Sequence, residues 1–219
     1  EDGILEEIFK RINTKNKKFV EIGVETGIEC NTTYLLYKNW KGLWIEGDIN
    51  FKKKIDQNFE KYLNNNLTVE FSKVNPENIN EILINHLKKN EEIDLLSIDI
   101  GTHTFHTLKN LKIINPRVIV VEYNPKYGPT LEWEMEYDKN SSWDGSDYYG
   151  ASLKSYQKML EKINYKLVGC NITGVNAFFV RGDLVNDKFI NDYSSQYHFC
   201  EENIWLKSAF KNKYKIRIK

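Results

Sequence analysis

The strongest constraint on the fold is a rhythm. Short apolar, β-branched runs recur at 19–23, 43–46, 67–74, 93–98, 118–122, 165–170 and 177–180. Helix-like patterns at 31–39, 50–63, 76–88 and 104–113 separate the first five. Asn75 is placed to cap the third of these, with Pro76 at its first helical position. The second, fourth and fifth runs are almost wholly apolar, as strands covered on both faces should be. Alternation of this kind predicts a parallel α/β sheet. A further helix pattern, 152–163, puts Leu153, Tyr156, Leu160 and Ile163 on one stripe. The last two runs are joined by a short Gly-containing link. Parallel neighbours need a longer crossover, so this pair is expected to be an antiparallel hairpin. The whole reads as a mostly parallel seven-stranded sheet in one domain spanning 1–219, with its core at about 18–184. The segment 124–150 is long, aromatic and acidic, as loops that act as lids are.

Composition narrows the classes of function. Of 219 residues, 31 are Lys or Arg and 31 are Asp or Glu, a formal net charge of +0. A balanced chain lacks the basic excess that broad capture of nucleic acid or acidic membranes requires. The basic end 211–219 reads as a solvated tail. No apolar run approaches a bilayer span and no signal-peptide pattern opens the chain, so a cytoplasmic protein is expected. Because the chain starts at Glu1 and not at Met, an upstream segment stays open. Cys30, Cys170 and Cys200 lack metal or redox spacing and read as reduced thiols. The Asn-x-Ser/Thr triplets at Asn31, Asn66, Asn140 and Asn171 are expected by chance in an Asn-rich chain.

Ligands of a doubly wound sheet sit at the carboxyl ends of its strands. The first run ends in "EIGVETG", so Gly23 and Gly27 let the backbone turn and approach a ligand. The dinucleotide fingerprint, Gly-x-Gly-x-x-Gly, is not matched. Glu21 and Glu25 make this loop acidic, which repels pyrophosphate and favours a cationic ligand. Glu46, at the tip of the second run, is positioned to accept hydrogen bonds from both hydroxyls of a ribose. Thr32, Gly47, Asp48, Asn75 and Asp99 complete the candidate cofactor-binding set. A short-chain dehydrogenase fits poorly, since the Tyr34–Lys38 pair of Tyr-x-x-x-Lys spacing lies on the first crossover helix.

Together "FVEIGVETGIECNTTYLL", "GLWIEGD", "DLLSIDI", "PRVIVVEYNP", "YYGASLKSYQKML" and "YKLVGCNITGVNAFFV" resemble small bacterial methyltransferases related to the FkbM-like group. The resemblance runs in matching order from about residue 18 to 184. It implies the Rossmann-like methyltransferase fold and S-adenosylmethionine, a sulfonium and ammonium ligand without phosphate. It also implies O-methylation of a small molecule or sugar, such as a sugar nucleotide destined for a capsule or other surface glycan. Relatives continue the fourth strand as Ile-Asp-Ile-Asp-Gly-Asn-Asp. This chain has "IDIGTHTFHTL", with Gly101 for an acid and with His103 and His106 added.

Methyl transfer to oxygen needs the acceptor aligned and its proton removed, by a general base or by a metal that acidifies the hydroxyl. Asp99 and His103 are the candidate catalytic residues. Asp99, Glu122 and Asn124 are the candidate ligands of Mg²⁺ or Mn²⁺. Trp40, Trp44 and Trp205 are expected to pack structurally, whereas Trp133 and Trp143 are candidates to stack on a sugar. N-methylation of a small amine or amide is the alternative chemistry. A non-catalytic binding module of the same fold is the alternative class, and a homo-oligomer is open.

Overall fold

The computed structural model describes residues 1–63 and 65–202. Trp205 and the basic end 211–219 lie outside the described residues. Seven strands form one sheet: β1 Lys18–Ile22, β2 Lys41–Glu46, β3 Leu67–Phe71, β4 Glu91–Ile98, β5 Ile114–Glu122, β6 Tyr165–Cys170 and β7 Asn176–Arg181. Their spatial order is β3-β2-β1-β4-β5-β7-β6. The first five pair in parallel, and β7 lies antiparallel between β5 and β6. This is the sheet that the seven apolar runs imply.

Alternation along each strand divides the core between two faces. Val20, Leu96, Ile119, Val121 and Phe179 meet the helices α4 Ile79–Ile84, α5 Thr104–Asn110 and α6 Leu153–Glu161. Phe19, Trp44, Leu95, Val118 and Phe178 meet α1 Asp2–Ile12, α2 Thr33–Tyr37 and α3 Lys52–Phe59. Two short helices, α7 Gly182–Val185 and α8 Ser195–His198, follow the hairpin. Each buried Leu, Ile or Phe contributes about 1.5–3 kcal/mol of apolar transfer, so both helix layers are needed to stabilise the sheet.

Four elements differ from the sequence expectation. Helix α1 precedes the first apolar run and buries Leu5, Ile8, Phe9 and Ile12, a helical stripe at the start of the chain. Strand β3 stops at Phe71, because its last residues are only half-buried at the sheet edge. The third helix begins at Ile79. Asn75 accepts hydrogen bonds from the amides of Glu77 and Asn78 at 3.0 Å each, forming a side-chain turn ahead of the helix proper. Ile163 lies beyond α6 and is 59% exposed, so the stripe of that helix ends at Leu160.

The amino-terminal end of the sheet carries a buried charge. Asp94 is fully buried in β4. It accepts the backbone amides of Lys15, Asn16 and Lys17 at 2.6–3.0 Å, which fastens the link between α1 and β1. Arg117 Nε stands 3.0 Å from its Oδ1, outside hydrogen-bond geometry, so that contact is Coulombic. Arg117 Nη2 donates to the carbonyls of Ile12 and Asn13. Removing one partner of such a pair leaves an uncompensated buried charge. Asp94→Ala should therefore lower unfolding stability by about 3–5 kcal/mol in a denaturant titration. A loss below about 1 kcal/mol would show that this end of the sheet is held without it.

Candidate functional site

Strand order reverses between β1 and β4, so their carboxyl ends open the crevice where such sheets bind ligands. The ladder runs to its edge: Gly23 donates to the Ile45 carbonyl and Asp99 to that of Ile22, each at 2.9 Å. Gly23 has φ +86°, and a Cβ there would lie 1.8 Å from the Asp99 carbonyl oxygen. Only glycine lets the two chain ends approach this closely. Gly27, at φ +78°, instead accommodates the rings of Trp44 and Phe59, which a Cβ would meet at 2.6–2.7 Å. Packing alone therefore requires glycine here.

Two carboxylates build the loop between these glycines. Glu21 is buried and accepts the amides of Asn31 and Thr32, the Thr32 hydroxyl and the Ser97 hydroxyl at 2.5–3.0 Å. Burial raises its pKa, and those four hydrogen bonds oppose the rise. Trp44 Nε1 donates to Thr32 Oγ1 at 2.8 Å. Glu21 and Thr32, both expected to touch the cofactor, are thus turned to internal partners, and their part is to brace the loop. Glu46 is buried at the tip of β2. Its Oε2 accepts the amides of Val24 (3.0 Å) and Glu25 (2.6 Å), and its Oε1 accepts that of Asp48 (2.8 Å).

A carboxylate oxygen has two acceptor positions. Oε2 of Glu46 uses both on the loop, whereas Oε1 keeps one. Glu46 thus keeps one acceptor position, on Oε1, beyond its internal hydrogen bonds. Gly47 and Asp48 are exposed beside it, with Asp48 Oδ1 accepting the Asn50 amide at 2.9 Å. Glu25 is exposed in the left-handed region at φ 48°. Asn75 is half-buried after β3, its Oδ1 engaged in its own turn.

The second half of the site departs further from expectation. Asp99 is exposed at the end of β4, and Glu122 is half-buried at the end of β5. Asn124 is fully buried. Its Nδ2 donates to the carbonyls of Asp147 and Tyr149 at 2.8 and 2.9 Å, and its Oδ1 accepts the Lys126 amide. Asn124 thereby closes the segment 124–150 on itself. Among the described residues no group of three or more His, Cys, Asp or Glu side chains is arranged to hold a metal. In the expected Mg²⁺ or Mn²⁺ set of Asp99, Glu122 and Asn124, the Asn124 Oδ1 already accepts the Lys126 amide at 3.1 Å.

His103 is turned toward the long segment. It is buried, and its Nε2 bonds the Asp138 carbonyl (3.1 Å) and the Ser141 hydroxyl (3.0 Å). His106 Nε2 bonds the Met135 carbonyl at 2.7 Å. The Tyr137 ring packs near both imidazoles, and its hydroxyl donates to Glu77 at 2.8 Å. The two histidines added after β4 pin the long segment. Near its base, Met135 donates to the Gly150 carbonyl and Ser152 to that of Trp133, each at 2.8 Å. Trp133 stacks on Tyr127 with ring centroids 3.9 Å apart, whereas Trp143 is 63% exposed. Trp40 and Trp44 are buried in the core, as expected.

Two tyrosines join this end of the sheet that the sequence did not single out. Burial raises the phenol pKa of Tyr149, and Glu122, Glu202, Asp147 and Asp99 raise it further. Burial does the same at Tyr156, with Glu122 and Asp99 adding to it. The Tyr156 hydroxyl has no hydrogen-bond partner among the described residues. Both phenols stay protonated, so they can donate but not act as bases. Their helix-type spacing alone marked Tyr156 only as core.

No protein-family model matches the chain, and no curated protein does. Solved structures match at the level of fold. A putative caffeoyl-CoA O-methyltransferase from Staphylococcus aureus is 15% identical, with a TM-score of 0.51, covering 82% of each chain. The magnesium protoporphyrin IX methyltransferase ChlM from Synechocystis PCC 6803, with bound SAM, is 10% identical at a TM-score of 0.50, over 82% of this chain and 77% of that one. The N-terminal domain of EvdMO1, crystallised in the presence of SAH and D-fucose, is 12% identical at 0.50, over 82% and 80%. The chain thus has the Rossmann-like methyltransferase fold.

Two outcomes follow from this geometry. Gly23→Ala should destabilise the fold by roughly 1–3 kcal/mol through a strained backbone and a displaced Asp99, read by thermal or chemical unfolding. His106→Ala should speed amide exchange across 135–141 while leaving exchange at 23–27 unchanged. Equal exchange in both segments would show that the histidine does not pin the long segment.

Proposed function

We propose that this chain transfers a methyl group from S-adenosylmethionine to a hydroxyl of a sugar or related polyol, in the service of a surface glycan. The observation that carries the reading is Glu46. This buried carboxylate at the tip of β2 holds the Gly23–Gly27 loop with one oxygen and keeps an acceptor position on the other. That position suits one ribose hydroxyl, and exposed Asp48 stands beside it for the second. The carboxylates of Glu25, Glu46, Asp48 and Asp99 suit a ligand with ammonium and sulfonium charges and disfavour a pyrophosphate. When bound, the cofactor supplies an electrophilic methyl group with a neutral thioether as leaving group.

The chain's own task is to orient the acceptor and take its proton. Asp99 closes β4 beside Gly23 and is the residue we assign as general base. Tyr149, held over the end of β5 by Asn124, is available to donate a hydrogen bond to the acceptor. The aromatic segment 124–150 suits a sugar ring, and the presence of D-fucose with SAH in the EvdMO1 structure is a supporting parallel.

Incubation with methyl-labelled cofactor and a panel of free sugars and sugar nucleotides tests the reading. Label should appear as an acid-stable methyl ether. Label recovered only on amines would move the chemistry to nitrogen, and no label despite cofactor binding would leave a binding module. Glu46→Ala should weaken S-adenosylhomocysteine binding by about 1–3 kcal/mol in calorimetry, the cost of lost hydrogen bonds to an ionised group. An analogue with an ammonium in place of the methylsulfonium reports on Asp99 without any acceptor. Asp99→Asn should reduce its affinity relative to S-adenosylhomocysteine by roughly two- to fivefold, the size of an exposed ion pair. An unchanged ratio would remove Asp99 from the reacting end.

A further inference from the structure

A cavity of about 460 Å³ lies away from the strand ends, between α5 and α6. Its floor is apolar: Phe105 and Leu108 from α5, Leu111 just beyond it, and Met159 and Ile163 on the α6 side. Glu132 and Glu134 of the long segment bound it, where Glu132 is ion-paired with Lys158, and Glu134 lies 3.8 Å from Lys109. Two more lysines, Lys112 and Lys162, line it with no carboxylate oxygen within 4 Å among the described residues, although Lys162 helps hold the Glu132 carboxyl below its usual range. Four lysines thus face two glutamates, a surplus of two positive charges. Lysines near helix carboxyl ends are ordinary, since they complement the helix dipole. That does not account for the apolar floor between them or for Ile163, which is 59% exposed.

The dimensions select among occupants. One turn of α-helix with its side chains, about 10–12 Å across and 5.4 Å long, would take up roughly the whole volume. A cavity of this size is in the range that holds a small molecule, about 300–1,000 Å³. We propose that the groove binds a single alkyl or acyl chain ending in an anionic group. The chain lies on Leu108, Leu111, Met159 and Ile163, and the anion sits between Lys112 and Lys162. Both contributions are needed: apolar contact holds the chain, and the paired ammonium groups select the sign of the head group. The site is separate from the strand-end crevice and does not rest on the methyltransferase reading.

Calorimetric titration of the full chain with dodecanoate, below its micellar concentration, tests this. Dodecyltrimethylammonium reverses the head-group charge, and acetate lacks the chain. Dodecanoate should bind at one saturable site, more tightly at low salt, with both controls at least tenfold weaker. The double substitution Lys112→Glu with Lys162→Glu should weaken dodecanoate at least tenfold, and Met159→Glu should do the same from the floor. Each variant should keep the wild-type circular-dichroism spectrum and unfolding midpoint, which reports that it is folded. Absence of saturable dodecanoate binding would overturn the proposal. So would equal binding of the cationic amphiphile, or affinity unaffected by the double charge reversal.

Discussion

Glu46 Oε2, bonded to the amides of Val24 and Glu25, is the contact on which the arrangement of the crevice depends. The loop after β1 has few other ways to satisfy those amides, because Gly23 has just turned the chain away from the ladder. The bond ties the tip of β2 to the loop of β1, two strands that are neighbours in the sheet. It also holds Glu25 in a left-handed conformation that a non-glycine residue adopts at a cost. Beneath it, Glu21 gathers donors from the far side of the same loop. A carboxylate with four hydrogen bonds can remain buried where an unpaired one could not. The loop is therefore ordered by charge held inside the protein before any ligand arrives.

The two ends of the sheet have different work. At the amino-terminal end, Asp94 and Arg117 are closed in by backbone groups, with few polar positions left for a ligand. At the carboxyl end, acids stand near the surface and phenols beside them are kept protonated. Lys126 in that region is drawn to Glu202 at 3.0 Å and to Asp147 at 3.9 Å. The proposed methyl transfer from a cationic donor rests on this polarity, which disfavours a phosphorylated ligand.

Much of this was legible in the sequence, for reasons that differ by element. Strands β2, β4 and β5 were readable because burial on both faces demands nearly continuous apolar runs. The hairpin was readable because the link between β6 and β7 is too short for a crossover. Helix α1 went unread because an amphipathic stripe at a chain start has no flanking strand to set it in context. Side-chain direction was not readable at all. Asn124 and His103 follow β5 and β4 as expected, yet each side chain turns to groups of the segment 124–150. Their partners lie 23 to 38 residues further along the chain, and no local pattern encodes such contacts. Asp94 and Arg117 were missed because a charge inside a strand reads as a surface residue until its partner is placed. The place of Glu46 at the tip of β2 was readable, but its engagement with the amides of Val24, Glu25 and Asp48 was not.

The central claim is that the crevice takes an adenosyl sulfonium ligand and not a phosphorylated nucleotide. Calorimetric titration of the folded wild-type chain with S-adenosylhomocysteine, run beside NAD and ATP under the same conditions, tests it most directly. The account predicts one saturable site for S-adenosylhomocysteine and no measurable heat from either phosphorylated ligand. Binding of NAD or ATP with S-adenosylhomocysteine silent would contradict it.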